Sequence, residues 1–367
     1  YFLKDLMLPK YFKFMLNLKL GQTPWVYSDL IIEYDKKIST ARKIFSSIQS
    51  KDKFEGFIYK MLPETFPKNY LENYTKIEQN LQFLNWPKNP KIIFTSFSHY
   101  LNDPFNIYTL NKLNDGSKLF ILQHGHQYHN KFCNSLFEVR LCDKYLTWGN
   151  KAQGKNIVPL YTPTTIGKKI IKKNASGILL SIVGPPVKPY KQQDHPREIE
   201  TCDIYKKNLF VFLNNLKKNI LEETTIKCYK PAKKKEYPHI NYNYISQDLI
   251  GKYNKIKYIE IDKSKRGFEM SGKYELLIET VNSTGFLESL TMNIPVILVT
   301  SKNFFTIKNE YKKFYKSLIK NNIIFFDSVK AAKFVNTNLN NIDKWWFNKK
   351  TQKSISYFCE NMSKREI

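Results

Sequence analysis

Glu275-Leu276-Leu277-Ile278-Glu279-Thr280-Val281-Asn282-Ser283-Thr284-Gly285-Phe286-Leu287-Glu288-Ser289-Leu290 leads, two residues later, into Asn293-Ile294-Pro295-Val296-Ile297. The apolar run at 275–279 predicts a strand, the hydroxyls of Ser283 and Thr284 open a helix over 283–292, and 295–300 is the next strand. Strand, helix, strand at this spacing is the signature of a parallel α/β sheet. A helix start presents unpaired N–H groups and a positive dipole end, which suit a phosphate. Ser283 and Thr284 add hydroxyl donors, and Glu288, one turn on from Thr284, lies on the same face and could accept from ribose hydroxyls. An approximate capping box of Thr284 and Glu288 reads the same residues without a ligand. The place of the segment, at the C-terminal edge of a parallel sheet where ligands collect, favours binding.

Outward from this stretch the alternation occurs twice. Strands are expected at 91–96, 118–122 and 143–147, with a helix over 104–113 and a turn at Asp115-Gly116. Residues 1–90 read mainly as helix, notably 36–60 and 69–84, and 150–175 reads as a linker. Strands then follow at 177–183, 225–229, 258–261, 275–279 and 295–300. Helices are expected over 204–220, 283–292, 308–321, 328–338 and from 341 to the end. The expectation is an α/β protein of two Rossmann-like domains with a cleft between them. An N-terminal α/β acceptor-side domain with a helical extension would span 1–160, a nucleotide-binding domain 175–340, and a last helix, 341–367, would pack back on the first domain.

The chain has 367 residues and a formal charge of 59 − 32 = +27. Only five of the basic residues are Arg (42, 140, 197, 266, 365), leaving 59 − 5 = 54 Lys spread over the whole length. Base readout and phosphate forks lean on Arg, so a specific nucleic-acid function is not expected. The field suits anionic lipid headgroups, polyanionic glycans or nucleotide phosphates. A hydrophobic fraction of 42% with 15% aromatics excludes a disordered chain. No apolar run reaches the roughly 18 residues that cross a bilayer. The five cysteines (133, 142, 202, 228, 359) form no C-x-x-C pair, which argues against a zinc ribbon or disulfide scaffold and suits a reducing cytoplasm. The chain opens on Tyr1 without a signal-peptide pattern, so some residues are expected to have been trimmed before it.

Other candidates lie after other strands. In Gln123-His124-Gly125-His126 the imidazole of His124 could act as acid, base or phosphate contact. Gly125 would allow close backbone approach. His126 and His129 read equally well as solvated loop residues, and three His without a nearby carboxylate pair are weak evidence for a metal. Asp103-Pro104 reads as a helix cap, yet a carboxylate there could also be a nucleophile or base. Glu64 and Glu138 are the other carboxylates of interest. Lys227, Tyr229 and Lys230 could clamp a phosphate or simply face solvent.

Together, Gln123-His124-Gly125, Glu138, the run 142–149 (C-D-K-Y-L-T-W-G), the run 282–290 with 293–297, and Asp343-Lys344-Trp345-Trp346 resemble a family of transferases found in bacterial O-antigen and surface-carbohydrate loci. That family is similar to the two-Rossmann-domain (GT-B) glycosyltransferases, including retaining Kdo transferases that use CMP-activated sugar acids. The resemblance spans roughly residues 60–350. It implies a nucleotide-activated sugar held by the second domain and a glycan or lipid-linked acceptor held by the first, with the protein peripheral at the inner face of the bacterial inner membrane. Ser283 and Thr284 would meet the donor phosphate and Glu288 the ribose, with Gln123, His124 and Gly125 lining the cleft. Asp103 would be the leading carboxylate. Two departures stand out: His126 replaces a second Gly, and Lys227 stands where an Arg is expected. No D-x-D motif is present, so no cofactor and no metal are expected, with helix dipole, hydroxyls and Lys neutralising the leaving phosphate. Trp345 and Trp346 are expected as packing anchors. The rivals are a phosphotransferase acting on a CDP-activated polyol and a nonenzymatic nucleic-acid- or glycan-binding protein.

Overall fold

The structure is a computed structural model that describes residues 1–23, 26–30, 39–40, 42–125, 135–149, 154–170, 175–182, 199–228, 244–260 and 266–366. The chain packs as two compact units. One comprises Tyr1–His124 with Leu141–Tyr145, the other Gly125–Arg140 with Leu146–Ile367.

The first sheet holds β1 (Phe2–Lys4), β2 (Ile92–Thr95), β3 (Lys118–Leu122), β4 (Lys144–Thr147) and β5 (Ile157–Pro159), in that spatial order. β1, β2 and β3 run parallel. The second sheet holds β6 (Ile178–Ser181), β7 (Thr224–Cys228), β8 (Lys257–Glu260), β9 (Leu276–Glu279), β10 (Val296–Val299) and β11 (Ile324–Phe325). Its order is β11-β10-β9-β6-β7-β8, with every neighbouring pair parallel. Counted within the sheet this is 3-2-1-4-5-6 read backwards, the dinucleotide-binding Rossmann order, whose direction reverses between its first and fourth strands, here β6 and β9. Every residue of β6, β9 and β10 is buried, as expected of parallel strands covered on both faces.

Three segments depart from the sequence reading. β1 lies in a stretch read mainly as helix. Three residues are too few to show a period, and what makes them a strand is tertiary: Phe2 is fully buried against the rings of Tyr27, Trp86, Phe105 and Tyr108. The stretch read as a linker contains β5 and a buried turn, Pro163–Thr165. Its backbone is tied down, since Leu160 N–H donates to the Thr147 carbonyl (2.9 Å) and Thr162 N–H to that of Lys364 (2.8 Å). The C-terminal segment is two helices, Ile342–Trp346 and Lys349–Met362, because Asn348 caps the second by accepting from Thr351 N–H at 2.9 Å. Lys349–Met362 packs on the helix Lys312–Lys320 of its own unit through Phe314–Tyr357 and Tyr315–Phe358 ring contacts.

The Asn293-Ile294-Pro295 and Trp345-Trp346 segments explain one another. Asn293 ends the helix Thr284–Thr291 in the left-handed conformation (φ 52°), which Asn tolerates better than most residues. Its Oδ1 accepts from Trp346 Nε1 (2.9 Å) and Gln352 Nε2 (3.0 Å), and its Nδ2 donates to Gln352 Oε1 (3.0 Å). Trp346 is completely buried and Trp345 packs on Phe334, as expected of anchors.

At the start of β6, Gly177 has φ +64°, and a Cβ there would come within 2.2 Å of the Glu223 carbonyl oxygen. Gly177→Ala is therefore expected to lower stability by about 1–3 kcal/mol. Thermal unfolding checks this, and an unchanged Tm would contradict it.

Candidate functional site

Parallel register brings three polar residues level at the C-terminal edge of the second sheet. Ser181 of β6 pairs with Lys227 of β7 on one side and with Glu279 of β9 on the other. Neighbouring strands lie about 4.8 Å apart, so Lys227 and Glu279 stand two strand spacings from each other over Ser181. Above them begins the helix Thr284–Thr291. Its N-cap is Ser283, one residue before the expected Thr284, and Ser283 Oγ accepts from Phe286 N–H (3.4 Å) and donates to Glu279 Oε2 (3.3 Å). The helix is buried from Phe286 to Thr291.

The crevice at the reversal point is stitched by Thr280, whose hydroxyl donates to the Ser181 carbonyl (2.8 Å) and lies 2.8 Å from Tyr205 Oη. Gly125, within the same unit, lies close to the helix start: a Cβ on it would fall 2.7 Å from Thr284 Oγ1. This is the close approach that the sequence reserved for that glycine. Gly267 sits over the polar row, where a Cβ would be 2.8 Å from Lys227 Nζ and 3.9 Å from Glu279 Oε1.

Glu288 is almost wholly buried. Its Oε1 accepts from Thr164 Oγ1 (2.6 Å) and Arg266 Nη1 (2.7 Å), and the Arg266 side chain remains 37% exposed. Arg266 is itself held, with its backbone N–H on Glu269 Oε2 (2.8 Å), while Glu269 Oε1 takes the Lys168 ammonium (2.5 Å). Burial works to raise the Glu269 carboxyl, but Lys168 and the Arg266 backbone outweigh it and hold it below the ordinary range. Glu279 and Glu288 go the other way. Burial pushes both above the usual carboxylate range, against the opposing charges of Lys227 and Arg266 respectively.

Of the residues expected in the donor site, Gly125, Lys227, Ser283, Thr284 and Glu288 fall in the second unit, Gln123 falls in the first, and Lys230 lies outside the described residues, as does His126, expected on the acceptor side. The sequence reading missed Ser181, Glu279, Arg266 and Thr164. A polar residue closing an otherwise apolar strand, as in Leu179-Leu180-Ser181 and Leu277-Ile278-Glu279, is the signal that was there to find the first two.

The first unit gathers a second set at the C-terminal ends of β2 and β3. Asn102, not Asp103, caps the helix Asp103–Asn114. Asp103 accepts from Asn69 Nδ2 (2.6 Å) and Tyr70 Oη (2.9 Å). Asn106 Nδ2 links Tyr70 Oη (3.3 Å) to the His99 carbonyl (3.2 Å), and the next ring, Tyr100, meets His124 edge-on at 5.3 Å between centroids. Hydrogen bonds thus lead from Asp103 to the His99 carbonyl, and ring packing leads from Tyr100 to His124. Gln123 is buried beside His124 in sequence. Glu64 is exposed on the helix Lys53–Thr65, where its charge acts on Arg42, whose guanidinium is already forked onto Glu72 (2.5 and 2.9 Å). Glu138 is buried in the helix Ser135–Leu141 of the second unit. Among the described residues no three His, Cys, Asp or Glu side chains gather as a metal site.

The chain belongs to the LIC12162 family of transferases, which it matches over residues 1–366. It is similar in structure to MnaA of S. aureus solved with UDP, at 10% identity, covering 80% of this chain and 82% of that one with a TM-score of 0.46. HepE of Anabaena, solved with UDP and glucose, gives 12% identity, 83% and 85% coverage, and a TM-score of 0.44. The sucrose-phosphate synthase of Thermosynechococcus elongatus gives 11% identity, 83% and 75% coverage, and a TM-score of 0.42. No curated protein matches the sequence.

The buried carboxylates set a pH signature. A native pKa above the unfolded value of 4.5 means that the folded state holds the proton longer. The stability this contributes is present below pH 4.5 and is lost as pH rises through the native value. Glu279→Gln removes one such group, so its stability relative to the unsubstituted protein is expected to improve between pH 4 and pH 7. Urea unfolding across that range measures it, and a difference independent of pH would contradict the assignment.

Proposed function

We propose that this transferase is a metal-independent glycosyltransferase whose nucleotide-sugar donor binds in the second unit, at the reversal point of the Rossmann sheet. The observation that carries the reading is the convergence of Lys227, Arg266 and the Ser283-capped helix on one sheet edge, because two cations beside the first turn of a helix suit a phosphate. In sugar transfer the anomeric C–O bond to the nucleotide breaks and its electron pair goes to the phosphate oxygen. Cations and amide dipoles set in advance around that oxygen stabilise the departing charge. Arg266 takes the part of the guanidinium that Lys227 does not supply, and its bond to Glu288 fixes its position before the donor arrives.

Glu288 is then a support for Arg266 as much as a ribose ligand, since its Oε1 is already engaged twice. On the acceptor side we assign the incoming hydroxyl's proton to Asp103 or His124, both in the first unit. A CMP-activated sugar acid such as Kdo is our first choice of donor, because a basic site favours a sugar that carries its own carboxylate. The acceptor would be a lipopolysaccharide or another lipid-linked surface glycan, met at the cytoplasmic face of the inner membrane.

A thermal-shift screen of CMP, CDP, UDP, GDP and ADP, with magnesium and with EDTA, tests this. One nucleotide is expected to raise the Tm by several degrees at saturating concentration whether or not magnesium is present. Arg266→Ala and Lys227→Ala should each weaken that nucleotide by about tenfold or more. Selection of CMP supports the sugar-acid donor and selection of CDP the polyol-phosphate alternative. No shift with any nucleotide at millimolar concentration would contradict the reading.

A further inference from the structure

The helix Lys10–Lys19 (KYFKFMLNLK) in the first unit half-buries Phe12, Met15 and Leu16 on one face and exposes a second apolar stripe on another. Its one buried residue is Asn17, at 8% exposure, whose Nδ2 donates to the Lys13 carbonyl (2.7 Å) and whose Oδ1 accepts from Gln22 Nε2 (2.7 Å). Tyr11 (65% exposed), Phe14 and Leu18, at positions i, i+3 and i+7, form a stripe facing solvent. The element carries Lys10, Lys13 and Lys19 and no acidic residue. A surface helix normally keeps one apolar stripe, turned inward; here a second one faces solvent.

A second helix of the same unit, Lys53–Thr65, repeats the anomaly. It has no buried residue, and Phe54, Phe57, Ile58 and Met61 (i, i+3, i+4, i+7) are all exposed; here Lys51, Lys53 and Lys60 are balanced by Asp52, Glu55 and Glu64, so this face contributes apolar area rather than charge. Single exposed apolar residues are ordinary, but two aligned stripes are not.

We propose that the Tyr11–Phe14–Leu18 face seats the protein on an anionic lipid surface, with the Phe54–Met61 face as a second contact. Charge selects this occupant. A second copy of the chain would also carry +27 and repel the first, whereas an anionic headgroup layer attracts Lys10, Lys13 and Lys19 while the rings enter the acyl boundary. Long lysine stems reach back to the headgroups from either end of the helix, as such side chains do at membrane interfaces. This inference is independent of which donor the second unit binds.

Vesicle flotation of the full chain, with phosphatidylcholine alone and with about one-third phosphatidylglycerol added, is the test. The protein should float only with the anionic vesicles, and less so as salt is raised. Tyr11→Ser/Phe14→Ser/Leu18→Ser, three exposed positions, and Lys10→Gln/Lys13→Gln/Lys19→Gln should each reduce partitioning by about tenfold or more, with Tm and any nucleotide-induced shift unchanged. No flotation of the unsubstituted protein, equal flotation with both vesicle types, or undiminished flotation of both triple variants would overturn the proposal. So would a soluble dimer that the serine variant dissociates, which would give the face to a second copy. Loss of nucleotide binding with flotation intact would count against the donor site alone.

Discussion

Two carboxylates buried under one helix start are the constraint around which the second unit is arranged. A charged carboxylate in such surroundings is costly unless a cation or several donors meet it. Glu279 is met by Lys227 from two strands away and by the Ser181 and Ser283 hydroxyls. Glu288 is met by Arg266 from the segment after β8 and by Thr164 from the turn after β5. Each partner arrives on a different element, so satisfying the two charges draws β6, β7, β9 and two loops to one point. The same arrangement leaves a partly exposed guanidinium and an ammonium beside the first turn of the helix.

The strand–helix–strand unit at 275–300 was legible because its signals are local: an apolar run, two hydroxyls, then Asn-x-Pro. The pairing of the two buried carboxylates was not, because Arg266 and Thr164 are 22 and 124 residues from Glu288. β1 and β5 escaped for a related reason. Three residues carry no period, and what makes Phe2–Lys4 a strand is an aromatic cage drawn from Tyr27 to Tyr108. Gly125 shows a middle case: that it would allow a close approach was readable from its type and its place after a strand, but that Thr284 is what approaches it was not.

Motif residues also divide into two kinds that sequence alone does not separate. Asn293 and Trp346 lock the exit of the helix Thr284–Thr291, and their hydrogen bonds satisfy each other. Ser283, Lys227 and Arg266 stand at its entrance, where ligands would bind. One short helix is thereby held at its C-terminal end by packing and at its N-terminal end by charge, which keeps its first turn in place. The first unit has a different character. Asp103 is held by hydrogen bonds from Asn69 and Tyr70, and His124 packs on Tyr100, while two of its helices carry apolar stripes into solvent.

The central claim is that the anion site lies at the start of the helix Thr284–Thr291. Hydrogen exchange with and without bound CMP measures it directly, because the amides of that first turn would be the ones to bind phosphate. The account predicts slowed exchange in peptides covering 282–286 and 266–269, with little change across 98–106. Protection confined to the first unit, with the amides at 282–286 unaffected, would contradict it.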